Sequence, residues 1–446
     1  MQTRIMKKDA TKKGLPAGVM SVLLAGVTGL TGLPAAHCQA AKQAAIRGEA
    51  AKTPAADAWF RRGETVGGGG RRFRILQGDR PIPVVVVGGT PYQMGYHLGR
   101  LMRAEIQAFV PAALARFKAA LKIGDAGLAR VWAATAPYTD DRVEQELLGM
   151  AEGSGVSLSA LQQVQCFPLL MSYSCSSIAA WGGATRDGHL YQTRDLDWSL
   201  EAKAHEVPVI VLYLPRQGHP HVLPTFAGFS GAHCGLNAAG IALAEMGDSP
   251  GREAPYRLRA PHFTTWFRTL LYDAGSLTEA LDLFRAQPPT KRYHFVFGDG
   301  RNEHRAVKIR LHAPEPPDRR LRVWRDNDPT DELAPRVLPG VVYQDEGRGA
   351  FPFLKAHYGK FDGPLMMKLA QSIPIRGGNV EDVVFDATAL RLWVAYAHGD
   401  KEAYQMPAAF LDLRKVDSDH DGKSDWEEGA ADRNGNGVPD FLDPES

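Results

Sequence analysis

The chain has 446 residues, 44% of them apolar and 23% charged, and a formal net charge of +2. That length exceeds one small domain and leaves ample chain for a large core. The composition is that of an ordinary soluble globular protein, and a charge this close to balance points to no nucleic-acid partner.

Residues 1–40 differ from the rest. A basic start, "MQTRIMKKDATKKG", precedes the uncharged run "LPAGVMSVLLAGVTGLTGLPAA" and a small-residue end at Ala40. The pattern is that of a secretory signal peptide. The run is long enough to span a bilayer if uncleaved, but its Gly, Thr and Pro favour the cleaved signal. The expected location is secreted, periplasmic or cell-surface, with no membrane span after removal. Losing residues 1–40 takes five Lys/Arg and one Asp, leaving 47 basic and 49 acidic residues. Cys38 leaves with them. Cys166, Cys175 and Cys234 remain, an odd number, so at least one thiol has no partner within the chain.

Residues 41–72 lack apolar periodicity, hold four consecutive glycines and read as a flexible linker. "IPVVVVGG" reads as a strand. Thr90 is an N-cap and Pro91 a first-turn residue for the helix that follows, with a break expected at Pro111. Two further helices are expected over about 141–153 and 157–167. From 176 on the texture is β: "SSIAAWGGAT", "HLYQTRDLDW", "VPVIVLYL", "HVLPTFAGF", "GAHCGLN" and "GIALAEM" are short runs between turn residues. A helical block returns over about 263–285. Then come "RYHFVFGDG", "HRAVKIRL", "EDVVFDAT" and "LRLWVAYA", the last two joined by a tight hairpin. The order of helices, sheet, helices, sheet suits an α+β fold in which helices cover two stacked antiparallel sheets.

Cys175 opens a hairpin whose turn is Arg186-Asp187-Gly188. The returning strand carries Arg194 and Asp197, so both come within reach of the thiol. A cation beside a thiol favours the thiolate. No helix begins at Cys175 and no His is near in sequence, which points to a nucleophile served by its own α-amine. An α-amine has a pKa of about 7.7–8.0, suited to proton transfer near neutrality. The peptide bond between Ser174 and Cys175 must then be cut. Asp187-Gly188 is turn chemistry, His294 reads as a strand histidine, and Cys166 and Cys234 read as structural thiols, with a pairing between them left open.

"CSSIAAWGGATRDGHLYQTRDLDW" resembles the nucleophile segment of the isopenicillin-N acyltransferase-like family of N-terminal-nucleophile (Ntn) hydrolases. Upstream, "GTPYQMGYHLGRLM" and "LLGMAEGSGVSLSAL" resemble the family's pro-segment. Downstream, "GFSGAHCGLNAAGIALAEMG" and "GGNVEDVVFDATALRLWVA" resemble two of its strand pairs. The likeness covers roughly residues 82–413. It implies a four-layer αββα Ntn-hydrolase sandwich of two antiparallel sheets, made as a precursor. Residues 73–174 would be a helical pro-segment, the α chain, and residues 175–414 the nucleophile-bearing β chain, the two staying associated after autocleavage between Ser174 and Cys175. Cys175 would then cleave a linear amide of a small-molecule amide or acyl substrate through an acyl-thioester, or pass the acyl group to an amine. Arg194 would favour the thiolate and Asp197 would orient the α-amine, with no cofactor for catalysis. Three departures stand out. Ser174, before the nucleophile, is small but is not the typical Gly. Asp195 replaces the usual Asn, a charge expected to oppose Arg194. No Asn follows "GLNAAG", which leaves the oxyanion donor open among backbone N–H groups and Asn379; Glu245 and Asn237 are further candidates for substrate contacts.

Residues 415–446 hold ten acidic and three basic residues. Asp417, Asp419, Asp421, Asp425 and Glu428 fall at positions 1, 3, 5, 9 and 12 of a calcium loop, with Gly422 at the turn. Asp432, Asn434, Asn436, Asp440 and Asp443 repeat the pattern. Only three residues separate the loops, too few for an EF-hand helix pair. The segment resembles a thrombospondin type 3 repeat, expected to bind structural calcium as a module independent of the enzyme. The alternatives to a self-processing amidohydrolase or N-acyltransferase are an inactive Ntn-like, calcium-dependent extracellular binding protein and a phospholipase B-like lipid hydrolase.

Overall fold

The computed structural model describes residues 64–446 except 172–173, 248–257, 291, 312–320, 327, 335, 345–348 and 374–376. The leader and residues 41–63 of the expected linker lie outside the described residues. The rest of that linker is ordered. Glu64–Val66 (β1) and Gly70–Gln77 (β2) form an antiparallel hairpin turned at Gly68, whose φ is +92°. Gly69 and Gly70 sit so close to His97 that a Cβ on either would lie 2.8 or 3.0 Å from its side chain. The four glycines are thus a turn plus a close approach, two uses that a composition-based reading confuses with flexibility.

Arg80–Gly89 (β3) leads into Pro91–Leu101 (α1). Thr90 caps that helix and Gln93 completes a capping box, as the Thr-Pro pair predicts. The break expected at Pro111 falls instead at Met102: Arg103–Leu121 (α2) runs on through Pro111. Asp125–Thr135 (α3), Asp141–Ser154 (α4), Leu158–Gln165 (α5) and Phe167–Leu170 (α6) follow. Helices α1 and α4 cross almost backbone to backbone. A Cβ on Gly95 would lie 2.0 Å from Glu146 O, and one on Gly149 2.0 Å from Tyr92 O. Only glycine permits that crossing.

The strands after Leu170 are Ser174–Ser176 (β4), Ala179–Gly182 (β5), Gly188–Asp197 (β6), Pro208–Pro215 (β7), His221–Phe226 (β8), Cys234–Asn237 (β9) and Ile241–Glu245 (β10). Helices Phe263–Asp273 (α7) and Leu277–Arg285 (α8) intervene. Tyr293–Asp299 (β11), Arg305–Leu311 (β12), Leu321–Trp324 (β13) and Val341–Val342 (β14) come next. Ala350–Ala356 (α9), Gly363–Ser372 (α10), Asn379–Asp386 (β15), Arg391–Tyr396 (β16) and Ala409–Asp412 (β17) complete the pattern. The fold is mixed α+β, with two sheets.

Among the described residues the larger sheet has ten strands in the order β1-β2-β3-β7-β8-β9-β10-β11-β12-β13; the smaller runs β14-β5-β6-β15-β16-β17 with β4 also paired to β6. The expectation of purely antiparallel sheets needs one correction: β3 and β7 pair in parallel. A long excursion through α1–α6 and β4–β6 separates these two strands, enough chain to bring β7 back in the same direction.

The sheets face each other. Gln192 Nε2 donates across to Val296 O at 3.0 Å, and Tyr396 Oη donates to Val209 O at 3.2 Å. Helix α7 lies on the far side of the large sheet, where a Cβ on Gly235 would meet Leu271 at 2.6 Å. Helix α10 covers the far side of the small sheet, with Met366, Met367 and Leu369 packed on Tyr191 and Val384. Strands β6 and β7, covered on both faces, are buried along nearly their whole length, unlike the alternation of a half-exposed strand.

The end of the chain is not a trailing spacer. Asp425–Glu428 (α11) and residues 440–442 bring Trp426, Ala430 and Phe441 into the main core, with Phe441 fully buried. The tail, expected as a separate module, thus shares the main core through these side chains. Among the described residues no helix is long and apolar enough to cross a membrane.

Candidate active site

Strand β4 is three residues long. It pairs with β6 so that Ser174 faces Asp197, Cys175 faces Leu196, and Ser176 faces Asp195. Registered residues of an antiparallel pair project to the same side. Cys175 therefore shares a face with Leu196 and Arg194, the face toward the large sheet. Its own N–H donates to Met246 O at 3.2 Å, which places the thiol at the seam between the sheets. Asp195 and Asp197 project to the other face. There Ser176 Oγ donates to Asp195 Oδ2 at 2.7 Å. The expectation that Asp195 opposes Arg194 beside the thiol is corrected by this two-residue alternation. The acid across from Arg194 is Glu245, whose Oε2 lies 3.5 Å from Arg194 Nη2.

Both members of the Arg194–Glu245 pair are wholly buried, and Arg194 Nη1 also donates to Asp195 O. Burial works against the Arg194 charge, yet Cys175, Glu245, Cys234 and Glu381 together hold its pKa above the usual value. Cys175 is 2% exposed. Burial pushes its thiol far above the ordinary range; Arg194 pulls it down, while Glu245 and Asp197 push it up. In the uncut chain the thiol is therefore neutral, and it needs a base to become a nucleophile.

Asn379 reaches the far face of β6 from β15. Its Nδ2 donates to Asp197 Oδ1 at 3.1 Å and to Asp382 Oδ1 at 2.8 Å. Its Oδ1 accepts from Tyr404 N at 2.8 Å. Asn379 thus fixes Asp197 in place. Burial, then Asp195, drives Asp382 toward its protonated form. Asn237 stands apart from the site: Nδ2 donates to Leu271 O and Ala274 O, and Oδ1 accepts from Ile241 N. It ties the β9–β10 turn to the end of α7.

The structure adds two residues that the sequence reading did not single out. His233 Nε2 lies 2.6 Å from Glu381 Oε2, and Cys234 Sγ, His233 and Glu381 place ligand-type atoms within 4.8 Å of one another. The only signal in the sequence is an acid within the apolar strand run "NVEDVVFD", which also carries Asp382 and Asp386 and so does not single out Glu381. The three cysteines among the described residues, Cys166, Cys175 and Cys234, are free thiols, so the open pairing of Cys166 with Cys234 is answered. Burial pushes Cys166 up to about 12, and burial with Glu381 pushes Cys234 well up. His294 is held neutral in β11, its pKa lowered to about 3 by burial and by Lys308, Arg292 and Arg310.

A cavity of about 40 Å³ opens beside the thiol face, walled by Arg194, Leu196, Trp198, Phe226, Phe229 and His233. Gln165 and Pro168, just upstream of Cys175, close its side. Trp198 Nε1 donates to Met171 Sδ at 3.1 Å. An apolar wall with a few polar groups beside a buried cysteine suits an apolar group attached to a polar reacting centre.

In the tail, Asp417, Asp419 and Asp421 gather their carboxylate oxygens within 4.8 Å. Asp419 Oδ2 and Glu428 Oε2 are buried without a hydrogen-bond partner. Asp425 is turned to another use: its oxygens accept Ser418 N at 2.6 Å and Ser418 Oγ at 2.7 Å. Asp440 does the same one repeat later, accepting Arg433 N at 2.9 Å and pairing with the Arg433 guanidinium. Asn434 and Asn436 both donate to Asp443 Oδ2, and Asp432 Oδ2 accepts Gly437 N. The two loops repeat each other's backbone bonding, since Asp417 Oδ2 likewise accepts Gly422 N.

No protein-family model matches this chain. Protein dcd1B of Dictyostelium discoideum is 26% identical over 300 residues, 62% of this chain and 58% of that protein. The chain thus spans under two thirds of that relative's length. Among solved structures, a Caenorhabditis elegans N-acylethanolamine-hydrolyzing acid amidase ortholog aligns over 48% of this chain and 93% of that one, with 17% identity and a TM-score of 0.38. Penicillin V acylase from Agrobacterium tumefaciens aligns over 54% and 87%, with 14% identity and a TM-score of 0.35. At these scores the likeness is partial.

Proposed function

We propose that this protein is a secreted, self-processing cysteine hydrolase of the Ntn type, an αββα sandwich that cuts linear amides or transfers their acyl group to an amine. The observation that carries the reading is the meeting of Cys175, Arg194, Asp197 and Asn379 around β4 and β6, beside an apolar cavity. In the precursor, Cys175 Sγ attacks the Ser174 carbonyl carbon. The C–N bond breaks, the nitrogen takes a proton, and Ser174 is left as a thioester. Water hydrolyses that thioester, leaving a carboxylate on Ser174 and freeing the Cys175 thiol beside the α-amine already released by the C–N cleavage. The amine then takes the thiol proton, which a wholly buried thiol does not give up alone. Arg194 stabilises the thiolate as it forms. Asp197 receives the new ammonium group. Asn379, relieved of Asp197, turns an N–H toward the oxyanion of the attacked amide. The leaving amine departs with the proton, and the acyl-thioester passes to water or to an acceptor amine.

The binding-protein reading draws support from one fact, the 2% exposure of Cys175. Intact-mass analysis separates the two. The self-processing reading expects a chain that begins at Cys175, lost in Cys175→Ala; active protein holding only uncut chain refutes it.

The acidic loops fit calcium, a hard cation that takes six to eight oxygens. Every donor there is an oxygen, and Asp419 and Glu428 bring buried oxygens that have no other partner. Asp417, Asp419, Asp421 and Glu428 would hold one ion, and Asp432, Asn434, Asn436 and Asp443 a second. Asp425 and Asp440 would brace the loops rather than ligate. Bound calcium supplies the positive charge that these crowded carboxylates lack.

A further inference from the structure

We propose that the C-terminal tail is a strap by which the second chain of the processed protein grips the first, and that calcium in the first acidic loop sets how firmly it holds. The inference rests on the cleavage and calcium readings above. Cutting before Cys175 puts β1–β3 and α1–α6 in one chain and the tail in the other. The tail meets the first chain at the end of β3. A Cβ on Gly88 would lie 2.5 Å from Phe441 Cε1 and 3.0 Å from Ala430 Cβ, so the phenyl ring rests directly on the Gly88 backbone. Phe441 is fully buried, and Ala430 and Trp426 are 5% and 8% exposed. A second contact joins β2 to the first loop, Arg71 Nη2 to His420 Nε2 at 3.3 Å. The tail contributes no strand to either sheet. Its hold on the first chain is made by side chains, and therefore depends on the loops keeping those side chains in place.

The loops do so through their ninth-position acids. Asp425 receives Ser418 N and thereby fixes the turn that carries Trp426. Asp440 receives Arg433 N, and its own N–H donates to Ala431 O at 2.6 Å, which sets Phe441 on β3. Charge works against this arrangement. Three carboxylates lie within 4.8 Å, and Glu428, 3% exposed, turns an unpartnered oxygen into the same loop. Like charges that are partly withdrawn from water repel more strongly than on an open surface. The least costly relief without a cation is for the loop to open, and opening carries Trp426 and Ala430 off the core. A divalent cation held by oxygens removes the repulsion and keeps the ring seated.

The test uses the full chain and the metal alone. Bound calcium is counted by equilibrium dialysis, and amide hydrogen exchange is followed over 70–77 and 80–89, with about 1 mM calcium or with chelator. The expected result is calcium bound to the tail and exchange in β2 and β3 slowed about tenfold, the protection given by an ion at ten times its dissociation constant. Phe441→Ala should still bind calcium but lose that protection, and Phe441→Leu, which keeps an apolar side chain, should fall between. Asp419→Asn should weaken calcium binding and protection together. Calcium bound with no change in β2–β3 exchange overturns the strap and leaves the calcium reading standing. No calcium bound at that concentration overturns the calcium reading and calcium's control of the grip with it.

Discussion

Asn379→Ala removes one side chain and disturbs both stability and chemistry. Three hydrogen bonds go: to Asp197 Oδ1, to Asp382 Oδ1 and from Tyr404 N. A bond to a charged group contributes about 1.5–3 kcal/mol, and a neutral one about 1 kcal/mol. Asp382 is driven toward its neutral form by burial and by Asp195, so its bond counts with the weaker class, as does the one from Tyr404. The folded state should therefore lose about 3–5 kcal/mol. Asp197, no longer held, should sit poorly against the Cys175 nitrogen, which must take a proton as the C–N bond breaks, and self-cleavage should slow on the order of 10²-fold, typical of a displaced proton-transfer group. Asn379→Asp should be worse, since it adds a carboxyl beside Asp197 and Asp382. Urea unfolding reads the first effect, and a time course of cleavage on a denaturing gel reads the second. A variant that cleaves at the wild-type rate and loses under about 1 kcal/mol would contradict the account of this residue.

Cys175→Ala should abolish both self-cleavage and turnover of N-acyl amides, while Cys234→Ala should leave both measurable; a gel and an amine-release assay decide. Gly149→Ala should cost about 1–3 kcal/mol or more, because its Cβ would sit 2.0 Å from Tyr92 O, a backbone atom with nowhere to go; thermal unfolding reads it. His294, with a folded pKa of about 3, refuses a proton that the unfolded chain accepts near pH 6.5. Its contribution to stability is thus complete above about pH 6.5 and declines as pH falls toward 3, by about 1.4 kcal/mol per unit at most. Urea midpoints at pH 7 and pH 5 should show that slope, and His294→Leu should flatten it. A chain ended at Leu413 should lose stability, by about 3–5 kcal/mol for the burial of Phe441 alone; a truncated protein as stable as the full chain would return the tail to the status of a spacer.

Much of this protein is local and was legible in its sequence. Thr90 and Ser157 cap helices because a short side-chain oxygen meets unpaired N–H groups wherever such a residue precedes a helical run. The period of two places Cys175 opposite the strand of Arg194 and Asp197 once Arg186-Asp187-Gly188 is read as a turn. The repeat from Asp417 to Asp432 needs only counting. That period also separates Asp195 from the thiol, a consequence that shows only when the strand register is known.

Other features belong to the tertiary structure. Glu245 comes to Arg194 from the other sheet, and His233 meets Glu381 across the same seam. Nothing in either strand's own residues selects its neighbour; the choice follows from which faces can be buried together. The parallel pairing of β3 with β7 joins segments more than a hundred residues apart. Gly88 looks like a strand-ending glycine until Phe441 is found resting on it. The tail shows the limit most plainly. Its spacing of acids marks a cation loop, but the buried apolar residues that dock it, Val416, Trp426, Ala430 and Phe441, are too few and too scattered to form a periodic pattern. Their burial depends on a surface built by residues more than three hundred positions earlier.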